Sequence, residues 1–183
     1  LGFLVDTVSL GYFNSDETKF FNQKFLVQVS DYVPNKTEIP LTLKIFSNQN
    51  VWESTVLLDV NSPVYQLSNF SFFDTIVGNN NLWFEPGETV MAVFEVFNNS
   101  MSLGRNITVG LSSNSSYLNF SSNNFVIDSI FANQKICKEI IVSLSQQATL
   151  GDEIYVYFEF NDGIYTFFDT VVFVAGVLIE DFE

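Results

Sequence analysis

The chain is predicted to be all-β, built as two β-sandwiches in tandem, the first of them incomplete. Three observations predict it. Apolar and polar residues alternate at period 2, as half-buried strands require, and helical periodicity is absent throughout. β-branched and aromatic residues dominate, with turn signals such as "SNQN" (47 to 50) and "NDG" (161 to 163) between the runs. A pattern in the first third of the chain returns in the last third with its inward positions in step.

In chain order, "FLVDTV" (3 to 8) resembles "FVIDSI" (125 to 130). Next, "FLVQVSDYVPNKTEIPLTLKI" (25 to 45) lies over "IIVSLSQQATLGDEIYVYFEF" (140 to 160) without a gap. Phe25, Val27 and Val29 fall on Ile140, Val142 and Leu144; Ile39, Leu41, Leu43 and Ile45 fall on Ile154, Val156, Phe158 and Phe160. A one-residue slip would turn every apolar side chain to the wrong face, so shared parity over two strands argues for duplication more strongly than shared letters. "STVLLDV" (54 to 60) resembles "FDTVVFV" (168 to 174), and the copies are spaced by about one small β domain.

Two further alternating runs, "ETVMAVFEVFNN" (88 to 99) and "RNITVGLSS" (105 to 113), precede the second copy and have no counterpart before the first. Residues 1 to 62 therefore read as the later strands of one sandwich whose earlier strands are missing, 63 to 175 as a complete sandwich, and 176 to 183 as a linker or the start of a following domain. The junction "NSPVY" (61 to 65) limits bending, because Pro63 fixes φ and removes a donor. A start without Met and an acidic end suggest a piece of something longer.

Composition narrows the chemistry. A hydrophobic content of 47% favours a folded chain over a disordered one. With 21 acidic against 7 basic side chains, the formal charge of −14 would repel nucleic-acid phosphates. The absence of histidine and the single cysteine, Cys137, exclude Ser-His and Cys-His nucleophilic sites, the usual zinc shells and an internal disulfide within this chain. Cys137 reads as a small apolar strand residue. The longest apolar run, "TVVFVAGVLI" (170 to 179), is about half the ~20 residues that a membrane helix needs.

The most chemically loaded stretch is "GNNNLWFEPGE" (78 to 88). Trp83 and Phe84 are expected to plug one end of the core, with Gly78 and Gly87 permitting positive φ and Pro86 stiffening the approach to the next strand. Asp74, Asn79, Asn81, Glu85 and Glu88 place side-chain oxygens around a tight turn, and a hard cation such as Ca2+ takes six to eight oxygen ligands. Two readings stand side by side: a structural calcium site, and a plain Asx-type turn that needs no metal.

The stretch "GNNNLWFEPGETVMAVFEVFNNS" resembles the opening of the immunoglobulin-like modules of large secreted Bacteroidetes proteins, including accessory domains of gingipain-like peptidases and other type IX secretion cargo. Gly78, Asn79, Asn81, Glu85, Pro86, Gly87, Glu88 and Asn98 match that pattern, whereas Asn80 and Leu82 replace its intervening glycines and aromatics replace an aliphatic pair. The resemblance implies tandem immunoglobulin-like sandwiches on an extracellular or cell-surface protein. "LIEDFE" (178 to 183) is similar to the start of jelly-roll domains that follow such modules. The triplets at 6, 74, 128 and 169 resemble the O-glycosylation signal Asp-Ser/Thr-aliphatic of that phylum, implying sugars on Thr7, Thr75, Ser129 and Thr170.

The leading functional expectation is a non-catalytic structural or spacer module whose partners are neighbouring domains. The alternative is an adhesin or extracellular filament subunit that meets a protein or glycan partner, or further copies of itself. It rests on Phe46, Met91, Val93, Phe97, Tyr155, Tyr157 and Phe167, read as outward and more apolar than a solvated face needs, and on a first sandwich that another strand could complete. Catalysis would have to run on carboxylates such as Glu85 and Glu88, which nothing ties to a substrate cleft.

Overall fold

The computed structural model describes residues 1–22 and 24–176. These contain twelve strands and one helical turn, and they divide into two compact units, Leu1–Val33 and the chain from Pro34 onward. No described helix is long and apolar enough to cross a membrane.

In the first unit, β1 (Gly2–Val5) pairs antiparallel with β2 (Leu26–Gln28), with a register irregularity between Phe3 and Val5. Every residue of β1 is exposed, as a ribbon of two short strands must be without a second layer to bury one face.

The second unit opens with a hairpin of β3 (Thr37–Phe46) and β4 (Val51–Val60). It continues through β5 (Tyr65–Phe73), the helical turn α1 (Asp74–Val77), β6 (Thr89–Asn98), β7 (Gly104–Ser113), β8 (Leu118–Phe120) and β9 (Asn124–Ile130). The last three strands are β10 (Lys135–Leu144), β11 (Glu153–Asn161) and β12 (Thr166–Val174). Strands β5-β6-β10-β8 form one antiparallel sheet and β12-β11-β7-β9 the other. Their inner faces share one core, making a two-sheet sandwich.

Alternation drives this packing. Along β6, Val90, Ala92, Phe94 and Val96 are buried while the intervening residues are half-buried. Across the interface, Phe158 of β11 meets Phe70 of β5 at 5.7 Å and Phe94 of β6 at 5.3 Å between ring centroids. Each such ring contributes about 2–3 kcal/mol relative to exposure. Asn98, fully buried at one end, donates from Nδ2 to the carbonyls of Ser102, Ile130 and Phe131, and its Oδ1 accepts from Ser100 Oγ and Val64 N. One amide thereby satisfies backbone groups from several segments where strands turn over the core. Tyr65 donates its hydroxyl to Asp162 Oδ2, and Asp169 Oδ2 accepts the Leu67 amide, so two aspartates tie the β11–β12 hairpin to β5 across the sandwich edge.

The two long hairpins correspond residue for residue. One constant offset carries the pair Leu41–Val56 onto Val156–Val171, and Phe46–Val51 onto Asn161–Thr166. Their four-residue turns match as well. Ser47 N donates to Asn50 O as Asp162 N does to Tyr165 O, and the Ser47 hydroxyl accepts from the amides of Gln49 and Asn50 as Asp162 Oδ1 does from Ile164 and Tyr165. Leu41 and Val156 share a face parity, but Val156 is fully buried and Leu41 half-buried. Pro40 falls where Tyr155 turns its N–H and C=O away from β12, toward Asn114, so its missing donor costs the β3–β4 ladder nothing.

Four expectations need correction. Since the turns are equal in length, Ser54 corresponds to Asp169 rather than to Phe168, so the sequence alignment of that strand is one residue out. Phe167 is not on the outer face: it pairs with inward Phe160 and packs edge-on against Tyr65 at 5.6 Å. Cys137 lies in β10 but is exposed, opposite Glu95 on the outer side. β1 and β2 pair with each other, whereas the segments they resemble, in β9 and β10, belong to opposite sheets. Two short strands that, among the described residues, join no larger sheet satisfy their backbone groups by pairing directly. The expected linker at 176–183 lies, beyond Gly176, outside the described residues.

Candidate functional site

The loop from Asp74 to Glu88 leaves β5 through α1 and enters β6. Its last corner, Glu85-Pro86-Gly87-Glu88, is a β-turn closed by Glu88 N on Glu85 O at 3.0 Å, with Gly87 at φ 93°. Proline followed by a positive-φ residue is the type II signature. Gly87 also donates to Leu144 O, and a Cβ there would meet Gln146 Cγ at 2.7 Å, so bulk is excluded by space as well as by φ.

Phe84 is 1% exposed and packs at a tilt against Phe72 (4.9 Å) and Phe173 (5.5 Å), and so plugs the end of the core as expected. Trp83 does not: it remains 40% exposed. Adjacent residues of an extended segment point to opposite sides, so only one of the two rings can enter the core.

The polar residues form one hydrogen-bonded ring. Asn79 Oδ1 accepts from Asn81 N and Asn81 Oδ1 from Trp83 N, two successive Asx turns. Their amide groups both donate to Glu85 Oε2, at 3.5 and 2.8 Å. Glu88 accepts from Asn79 N on Oε1 and from Glu85 N on Oε2. Between the asparagines, Asn80 and Leu82 take φ 65° and 66°. The left-handed region disfavours side chains, so both residues hold a conformation that favours glycine.

Asp74 sits beneath this ring and is 1% exposed. Its Oδ2 accepts from Leu82 N at 2.8 Å, while its Oδ1 has no hydrogen-bond partner. That oxygen is tucked against Gly78, which does not take the expected positive φ (its φ is −78°) but is needed for space: a Cβ would lie 1.7 Å away, so any larger residue at 78 would displace the carboxylate. Burial pushes the Asp74 carboxyl up, but the amides of Leu82, Asn80 and Asn81 and the Glu88 side chain together hold it below the ordinary carboxylate range. Gly78, Asn79, Glu85 and Glu88 line an open cleft of about 350 Å3.

All five oxygen-bearing residues singled out in the sequence thus belong to one loop. Among the described residues, no three His, Cys, Asp or Glu side chains converge as a dedicated metal centre. The role of the backbone amides of residues 80 to 82 carries no sequence signal, because amide direction is set by φ and ψ and not by residue type. Of the four glycosylation candidates, Thr7 and Thr170 are exposed and Ser129 is half-buried; the side chain of Thr75 lies outside the described residues.

No protein-family model matches the chain, and no curated protein matches it.

Proposed function

We propose that this chain is a non-catalytic structural piece of a larger secreted or cell-surface bacterial protein, in which tandem immunoglobulin-like sandwiches space or present other parts. The observation that carries this reading is the correspondence of the β3–β4 and β11–β12 hairpins in length, register and turn hydrogen bonding. Duplication of a self-contained unit is how spacer arrays are built. The sandwich from Tyr65 to Val174 holds its core within itself, as a module must. O-glycosylation belongs to the same reading, with Thr7 and Thr170 as the exposed acceptors. The test is to produce residues 63–176 alone. A single cooperative thermal transition is expected; a chain that does not fold without residues 1–62 would defeat the modular reading.

A second reading, an adhesin or filament subunit, is favoured by the state of the β3–β4 hairpin. Phe46 is 71% exposed, Ile45, Trp52 and Val56 are also exposed, and among the described residues β3 has only β4 as a hydrogen-bonded neighbour. On this reading another strand adds to β3, as β7 does to β11. Sedimentation across a concentration series separates the two: association that rises with concentration supports the subunit, and a monomer throughout removes it.

A further inference from the structure

We propose that the loop from Asp74 to Glu88 binds one hard divalent cation of the calcium class, held between the unpartnered Oδ1 of Asp74 and the carboxylate of Glu88. This stands independently of the spacer reading.

The first support is the unsatisfied oxygen. A carboxylate that is 1% exposed, with one oxygen lacking any partner, is costly to bury, and an ion is one of the few things that relieves it. The second is charge. Asp74, Glu85 and Glu88 crowd one loop, and backbone amides of the same short segment, Asn79 and Leu82, point to Glu88 and Asp74. The ion pairs among the described residues are Lys19–Glu17, Lys44–Glu53 and Lys135–Glu95, so no lysine or arginine neutralises this loop. The third is space: an open cleft is lined by Asn79, Glu85, Glu88 and Gly78, the residue against which the Asp74 oxygen lies.

The geometry also narrows the ligands. The side-chain oxygens of Asn79 and Asn81 each accept a backbone amide and so shape the loop, and being neutral they draw a cation less than the carboxylates do. Each Glu88 oxygen accepts one amide and keeps a second lone pair for a cation. Two carboxylates supplemented by carbonyls and water suit calcium, whose shell is large and tolerant. They do not suit zinc, which wants nitrogen or sulfur in a closed tetrahedron.

The experiment titrates CaCl2 into the full chain after chelator treatment, reading heat by calorimetry and Tm by scanning. One ion per chain is expected, with a dissociation constant of about 10⁻⁴ to 10⁻³ M, as in extracellular modules, and a Tm that rises with free calcium. Glu88→Gln removes the charge and also turns one of the two amide-accepting oxygens into a donor, so its Tm in chelator is expected to fall below that of the wild type. The readout is therefore calcium affinity and the rise in Tm with calcium above each variant's own value in chelator, and Glu88→Gln is expected to weaken binding by about tenfold or more. Asp74→Asn should abolish the calcium response, and Glu139→Gln, on the exposed side of β10, should leave it unchanged. Heat and Tm indifferent to calcium, or binding retained in Glu88→Gln, would overturn the proposal.

Discussion

The hairpins β3–β4 and β11–β12 have the same register and the same turn, but they differ in what lies over them. In β11, Ile154, Val156, Phe158 and Phe160 are all but inaccessible beneath β5 and β6, whereas Ile39, Leu41 and Leu43 are half-buried and Ile45 is exposed. Register therefore follows from local features, turn length and alternation, and survives without a covering sheet. Burial does not, because it requires a second layer from elsewhere in the chain. The turns add a second contrast: Ser47 and Asp162 organise equivalent turns, but only the aspartate has a second oxygen free to accept the Tyr65 hydroxyl.

The largest expected difference comes from truncating equivalent positions. Phe158→Ala should cost about 3–5 kcal/mol by denaturant unfolding, and Leu43→Ala about 1 kcal/mol or less. Equal costs would mean that the β3–β4 face is covered and would dissolve the contrast.

Asn98→Ala comes next. It leaves three carbonyls and the Val64 amide without their shared partner, in a part of the sandwich that has no counterpart in the first hairpin. A loss of about 2–3 kcal/mol is expected; a loss under a few tenths would show that water replaces the amide.

The turn contrast is sharpened by pH. Burial first, and then the hydrogen bond and negative charge of Asp162, push the Tyr65 phenol well above its ordinary value. The folded state thus favours the protonated phenol. Its stabilisation is complete below the unfolded-state value near 10 and is lost as pH rises beyond it. Tyr65→Phe should cost about 1 kcal/mol at neutral pH and should flatten the alkaline decline in Tm. Identical alkaline profiles for variant and wild type would refute the assignment.

The smallest effect tests local backbone alone. Leu82→Gly relieves a positive φ at an exposed position but adds unfolded-chain entropy, so a net gain of under about 1 kcal/mol is expected. Destabilisation would show that the Leu82 side chain packs against something the loop needs.

Much of this could be read from residues. Alternation identifies β6, β7, β10 and β11, and equal spacing aligns the hairpins. The one-residue error at Ser54 arose where "STVLLDV" has apolar letters on both faces, so period 2 loses its contrast. Phe167 was misplaced for a similar reason: neighbouring Phe167 and Phe168 offer two rings, and only pairing with Phe160 shows which turns inward. In the loop, residue types marked the oxygen-bearing positions. The engagement of the Asn79 and Asn81 carbonyls by amides, and the isolation of Asp74 Oδ1, depend on backbone direction that no residue type specifies.

Strand identity, hairpin register and turn chemistry are short-range properties of this chain, legible because side-chain period and turn length act over a few residues. Which copy of the hairpin acquires a lid, which ring of a Trp-Phe pair enters the core, and which carboxylate oxygen is left without a donor were decided only by the meeting of distant segments. Burial and hydrogen-bond satisfaction are properties of neighbours in space, and the spatial neighbours of β11 and Asp74 are far from them, or turned toward them, in ways linear order does not encode.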